Sequence, residues 1–247
     1  MVKLSVVIIT FNEEKNIEKC LQSIQSLSDD IVVIDSYSTD NTESICNNFS
    51  NVRFIKHKWE GYSKTKNFGN SIAKNNYILS LDADEVISEK LRKSIIGINK
   101  LTGAYEFNRM TNYCGTWIKH CGWYPDKKIR IFDKTNISWE GDFVHETLSI
   151  PSNTKINFLK GDLFHYSYHT LEDHYNQIEK YSSLHAQKML KDNKSVSFTK
   201  LYISPAFKFF RTYFLQLGFL DGKAGFTIAR ISAKAVKLKY QKLKALL

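Results

Sequence analysis

Tyr77-Ile-Leu-Ser-Leu-Asp82-Ala-Asp84-Glu85 carries a β-forming, apolar run to its end and then delivers three carboxylates within four positions. A run this short and this apolar suits a strand buried on both faces. In an open α/β sheet the ligand crevice lies outside the carboxyl ends of the strands, so an Asp-x-Asp there sets two oxygen ligands where a hard divalent cation and its phosphates would bind. The alternative for an isolated Asp-x-Asp is a solvated turn after a strand.

Upstream, the same pattern recurs. Lys3-Leu-Ser-Val-Val-Ile-Ile-Thr10 is a β-branched run ending in Thr10-Phe11-Asn12-Glu13-Glu14, where Asn12 can cap a helix carrying Ile17, Leu21 and Ile24 at helical spacing. Asp30-Ile-Val-Val-Ile-Asp35 follows, running into Ser36-Tyr-Ser38-Thr39-Asp40 and a helix through Ile45 and Cys46. Arg53–Lys56 reads as a third strand and Tyr62–Asn75 as a helix with Phe68 and Ile72 inward. Beyond the acidic stretch, Ser88 caps a helix with Leu91, Ile95 and Ile98 on one face. The expected class is therefore α/β, a doubly wound, mostly parallel nucleotide-binding sheet, with polar residues at three strand ends.

From Gly103 the pattern changes to shorter aromatic strands at Ala104–Met110, Lys128–Phe132, Phe143–Ile150 and Asn157–His165, a mixed half. Between them lie Tyr113, Trp117, Trp123 and Tyr124, which either stack on sugar rings or pack a core. A helix from Leu171 to Leu190 is expected to bury Tyr175, Ile178, Ser182 and His185. Residues 1–102, 103–193 and 194–247 thus read as a nucleotide-binding half, a mixed aromatic half of the same domain, and a basic helical extension.

The charge supports that last boundary. The net charge is +10, and residues 194–247 hold eleven Lys and Arg against the single acid Asp221. In the final helix Ala229, Ala233, Val236, Tyr240, Leu243 and Leu247 form an apolar stripe beside a row of Arg230, Lys234, Lys237, Gln241 and Lys244. That pattern suits an anionic membrane surface, or a helix docked on its own domain with a solvated basic side. Four cysteines without paired spacing, and no apolar leader run, point to a reducing cytoplasm with neither structural zinc nor disulfides.

The first hundred residues resemble the family-two glycosyltransferases, with their glycosyltransferase A-type fold. Ser5–Glu14, Val33–Asp40 and Leu79–Glu85 match the family's opening loop, second motif and metal motif in order and spacing. Lys128–Phe132, Val144-His145-Glu146 and Phe219–Gly225 resemble the bacterial enzymes that extend lipopolysaccharide or lipooligosaccharide core with glucose. The resemblance implies a UDP-sugar donor, Mn²⁺ or Mg²⁺, inversion at the anomeric carbon, an oligosaccharide or lipid-linked acceptor, and a peripheral position on the inner face of the plasma membrane. It assigns Asp84 to the metal and Asp82 to the ribose. It also implies nucleotide contacts from Thr10, Phe11 and Asn12 (uracil), Glu13 (ribose), Asp35 (uracil N3–H), Ser38 in the second motif, and Lys66 with Asn67. Arg130 would be a second diphosphate clamp, Glu146 the general base, His145 its orienting partner or an acceptor contact, and Asp142 the reserve base. The family commonly places its base in a Glu-Asp pair, and none of these matched stretches contains one.

Three other readings are weaker. Asp82–Val86 also resembles the aspartyl-phosphate motif of haloacid-dehalogenase-type phosphatases, but that motif follows a first strand and this one a fourth. No Gly-x-Gly-x-x-Gly follows any strand, which excludes a Rossmann oxidoreductase. A nucleic-acid- or membrane-binding module using the basic tail leaves the acidic strand ends unexplained, and those acids would repel a phosphate backbone.

Overall fold

The computed structural model describes residues 3–141 and 146–247. Strands β1 (Ser5–Thr10), β2 (Ile31–Asp35), β3 (Val52–Lys56) and β4 (Tyr77–Asp82) pair in parallel in the order β3-β2-β1-β4, connected by helices α1 (Ile17–Ile24), α2 (Thr42–Asn47) and α3 (Tyr62–Ile72). Alternation explains why all this sheet's central strands are apolar throughout. Val6, Ile8, Ile31, Val33, Leu79 and Leu81 enter one core with α1 and the following helix, while Val7, Ile9, Val32, Ile34 and Ile78 enter another on the opposite face.

The expected order of strands and helices is present, with shifts in detail. Asn12 caps nothing, because α1 begins five residues later; it lies in the left-handed region (φ 55°) and accepts the Thr39 N–H at 2.8 Å, joining two loops. Helix α3 ends at Ile72. Its Gly69 lies against the sheet so closely that a methyl there would come within 2.5 Å of Val7 Cγ1. A strand absent from the sequence reading, β5 (Glu85–Ile87), begins directly at the acidic motif, and α4 (Glu89–Ile96) follows with Ser88 accepting the Leu91 N–H as expected.

The remaining strands are β6 (Ala104–Tyr113), β7 (Thr116–Trp117), β8 (Asp126–Asp133), β9 (Ser138–Glu140), β10 (Thr147–Ser149) and β11 (Ile156–Tyr168). They extend the sheet as β4-β8-β6-β11-β5, with β8 antiparallel to β4 and β11 antiparallel to β5, while β9 and β10 form a separate antiparallel pair. Of the stretch expected as a strand over Phe143–Ile150, residues 143–145 lie outside the described residues, and β10 covers Thr147–Ser149 of the remainder.

The chain divides into two compact units, Met1–Arg109 with Lys127–His165, and Met110–Asp126 with Tyr166–Leu247. In the second, α5 (Leu171–Lys191), α6 (Ser204–Phe210) and α7 (Gly222–Leu246) pack together. Helix α5 buries His174, Ile178, Ser182 and Ala186, an i,i+4 stripe one residue away from the expected Tyr175 and His185. His174 is selected because its Nδ1 meets the buried Tyr113 hydroxyl at 2.9 Å. Tyr113 and Trp123 are thereby core rings, stacked or edge-on with Tyr168 and His174. Asp221 accepts hydrogen bonds from the Lys119 and His120 N–H groups and sits 2.9 Å from His120 Nδ1, which ties down the Gly-rich loop after β7. No helix among the described residues is long and apolar enough to cross a membrane.

Candidate active site

Register assembles the site. Parallel pairing sets Thr10 opposite Asp35 and Ile9 opposite Asp82, so three polar strand ends share one edge of the first unit. Thr10 is buried, and its carbonyl accepts the Ser36 N–H. Phe11 is 56% exposed. Asp35 is fully buried, and its two oxygens take the Ser38 N–H at 2.8 Å and the Ser38 hydroxyl at 2.5 Å, shaping the 36–40 turn. Ser38 Oγ in turn accepts the Asn12 N–H, and Thr42 Oγ1 the Glu13 N–H. The first two motifs therefore form one hydrogen-bonded rim.

The metal motif divides its carboxylates among three environments. Asp82 lies between two cations, Lys66 Nζ at 3.0 Å from Oδ1 and Arg130 Nη2 at 2.9 Å from Oδ2. Burial opposes its ionisation, yet Lys66 and Arg130 hold its carboxyl far below the usual range. Glu85 is fully buried and structural: it accepts the Asp82 N–H, meets Arg130 Nη2 at 2.5 Å and has Arg109 at 3.6 Å. Arg130 is consequently committed to Asp82 and Glu85 and positions the motif, in place of the diphosphate clamp expected of it.

Asp84 faces the other way. Its Oδ2 lies 3.1 Å from His165 Nε2. Pairing of β5 with β11 sets His165 opposite Glu85 and so beside Asp84, a long-range contact that no local pattern announces. Burial pulls the His165 pKa down, but Asp84 outweighs it and the net direction is up. Its Nδ1 is buried without a hydrogen-bond partner. Among the described residues no cluster of three or more His, Cys, Asp or Glu can hold a metal by itself. One carboxylate and one imidazole fit a Mn²⁺ or Mg²⁺ that takes its remaining ligands from substrate phosphates and water.

Lys66, which the resemblance places among the nucleotide contacts, is enclosed by the protein's own side chains. It is 1% exposed, and besides Asp82 it reaches Glu146 Oε1 at 3.6 Å and lies 4.5 Å from the Trp139 ring centroid. The hairpin β9–β10 brings Glu146 there, docked on α3 by reciprocal bonds in which Asn67 Nδ2 donates to the Trp139 carbonyl and Trp139 N–H to Asn67 Oδ1. His145 and Asp142 lie outside the described residues. Glu13, held by Asn16 Nδ2 at 2.8 Å, has its pKa pushed up to about 7, chiefly by burial and then by Asp84, Asp40 and Asp82 against the lowering effect of Asn16.

A parallel sheet thus gathers two hydrogen-bonded loops, an Asp-x-Asp and a buried lysine at one edge of the first unit. The chain belongs to glycosyl transferase family 2, whose model matches residues 5–169. It is 30% identical over its full length to an uncharacterized glycosyltransferase of Rickettsia prowazekii (strain Madrid E), covering 88% of that protein. It is 26% identical to the lipopolysaccharide core biosynthesis glycosyltransferase LpsC of Rhizobium meliloti (strain 1021), over 93% of this chain and 87% of LpsC. A crystal structure of S. aureus TarS (residues 1–349) aligns at TM-score 0.49 and 17% identity, over 98% of this chain and 92% of that one.

Proposed function

We propose that this enzyme transfers a hexose, glucose in the first instance, from a UDP-sugar to a lipopolysaccharide or lipooligosaccharide core acceptor, inverting the anomeric centre. Its relationship to LpsC supports the acceptor class. The observation that carries the mechanism is the Glu146–Lys66–Asp82 chain, which joins a carboxylate from a distant hairpin to the metal motif at 3.6 and 3.0 Å.

Phe11 supplies a flat exposed ring for the uracil, with the Asn12 to Ser38 rim beside it. Asp35, fully buried and bonded to Ser38, holds that rim in shape, and Glu13 and Asp82 take ribose hydroxyls. Asp84 and His165 would hold Mn²⁺ or Mg²⁺, which when bound disperses negative charge on the departing diphosphate as a Lewis acid. Glu146 takes the proton from the acceptor hydroxyl as its oxygen attacks the anomeric carbon and the sugar–phosphate bond breaks. A positioned base of this kind contributes about 10²–10⁴-fold in rate. Lys66 keeps Glu146 in place.

Calorimetry with UDP, with and without Mn²⁺, tests the donor site: metal-dependent binding is expected, and Asp84→Ala should abolish the dependence. Unchanged dependence in that variant removes the assignment. Glu146→Gln should bind donor normally and lose at least ~10²-fold in transfer. Near-normal turnover instead moves the base to Asp142 or elsewhere; His145 orients Glu146 or binds the acceptor.

A further inference from the structure

The apolar stripe of α7 is not available to a membrane. Ala229 and Leu243 are buried, and Ala233, Val236 and Tyr240 between them half-buried, leaving the terminal Leu247 exposed, because α7 packs on α5, with Lys242 paired to Glu179 and Lys234 over the Tyr175 ring. A different face is bare. In α6 and the turns that follow it, Phe207, Phe210 and Phe214 are 57%, 48% and 48% exposed, and Leu215 and Leu220 reach 61% and 56%.

These side chains are contiguous. Phe210 meets Phe214 at 5.3 Å between ring centroids, Phe214 meets Tyr213 at 5.1 Å, and Tyr213 meets Phe209, Phe219 and Phe226 at 5.5, 6.3 and 5.7 Å. One connected sheet of six rings thus spans α6, the two turns and the start of α7, with most of it facing solvent. Isolated apolar residues on a surface need no explanation, but a continuous patch of this kind does.

We propose that this aromatic face docks the chain onto an anionic lipid surface, Phe210, Phe214, Leu215 and Leu220 entering the interface while Lys208, Arg211 and Lys223 meet the headgroups. The charge pattern selects the partner. No Asp or Glu occurs from Lys194 to Leu220, so a second copy of the chain would bring like charge against like. Phe with interleaved Ile and Leu matches hydrocarbon better than it matches the stacked bases of a nucleic acid. With no helix among the described residues long and apolar enough to cross a membrane, the contact proposed is interfacial, and the exposed row of Arg230, Lys234, Lys237 and Lys244 on α7 adds long-range attraction. The inference deepens the glycosyltransfer reading and rests on it only for its purpose, which is to concentrate the enzyme where a lipid-linked acceptor lies.

The test is flotation of the full-length chain with vesicles of phosphatidylcholine and phosphatidylglycerol (7:3), and with phosphatidylcholine alone. Binding to the anionic vesicles only is expected, weakened at least about tenfold by Phe210→Ser/Phe214→Ser and, separately, by Leu215→Ser/Leu220→Ser. Thermal melts confirm that each pair is folded; two exposed pairs guard against one failing to fold. Undiminished flotation of both folded pairs overturns the proposal by reducing the attraction to charge alone. So does wild-type protein that stays with neither vesicle, a dimer in sedimentation velocity that both pairs dissociate, or displacement from vesicles by a single-stranded oligonucleotide. UDP release with a soluble core saccharide is read in parallel. Its absence alongside lipid-dependent flotation removes the glycosyltransfer reading and leaves the docking face, and the converse result does the reverse.

Discussion

Lys66→Met removes the ammonium at the centre of the site and keeps the apolar stem. The lysine is 1% exposed and within 3.0 Å of Asp82 and 3.6 Å of Glu146. Deleting one partner of a buried ion pair costs about 3–5 kcal/mol, because the other charge is left buried and unpaired. Asp82 keeps Arg130 at 2.9 Å, so the loss belongs at the low end, about 3 kcal/mol. In urea that is a fall of ~1–2 M in the midpoint of the transition involving the first unit. Asp82→Asn added to Lys66→Met removes the stranded charge, and the double variant should recover part of the loss, with a coupling of about 2 kcal/mol. The pH dependence has a defined sign. Asp82's carboxyl is held below its unfolded value, so its stabilisation is fully present above about pH 4 and is lost as the pH falls below that. The deficit of Lys66→Met should therefore shrink in acid. A midpoint shift under ~0.3 M at pH 7, or strict additivity in the double variant, refutes the reasoning.

Two further perturbations test the rest of the fold and the rim. Glu13, with a pKa pushed up from 4.5 to about 7, keeps its proton in the folded state over that window, so its contribution to stability falls as pH rises from 4.5 and levels off above 7. Glu13→Gln should be more stable than wild type at pH 8 by up to about 3 kcal/mol and no more stable at pH 4, measured by urea unfolding at both values. Asp221→Ala leaves the Lys119 and His120 N–H groups without their acceptor and should destabilise the second unit by about 2–3 kcal/mol, read from the same titrations.

The parallel half of the fold was legible because its signals are local. Its three central strands are short and apolar on both faces, each ends on a polar residue, and Ser88 is a cap whose hydroxyl does what its position predicts. Helix faces were harder to phase. Tyr175 and His185 on α5 satisfy helical spacing as well as His174 and Ala186 do, and the choice was made by the Tyr113 hydroxyl, a partner far away in sequence. The same holds for α7, whose apolar stripe reads equally as a membrane face or a packing face until α5 is seen to cover it.

Within the site, the acids could be found from sequence but not their roles. Asp82, Asp84 and Glu85 are chemically alike and adjacent, and what separates them is which cation the tertiary structure delivers to each. Lys66 and Arg130 come to Asp82, Arg130 and Arg109 to Glu85, and His165 to Asp84. His165 had no sequence signal except its place at the end of a predicted strand, and Arg130 matched a family motif that named the residue without its partner. The consequence is chemical. Two of the three carboxylates are already neutralised by buried guanidinium or ammonium groups, which is why the proposal gives the divalent cation to Asp84, with a single imidazole beside it.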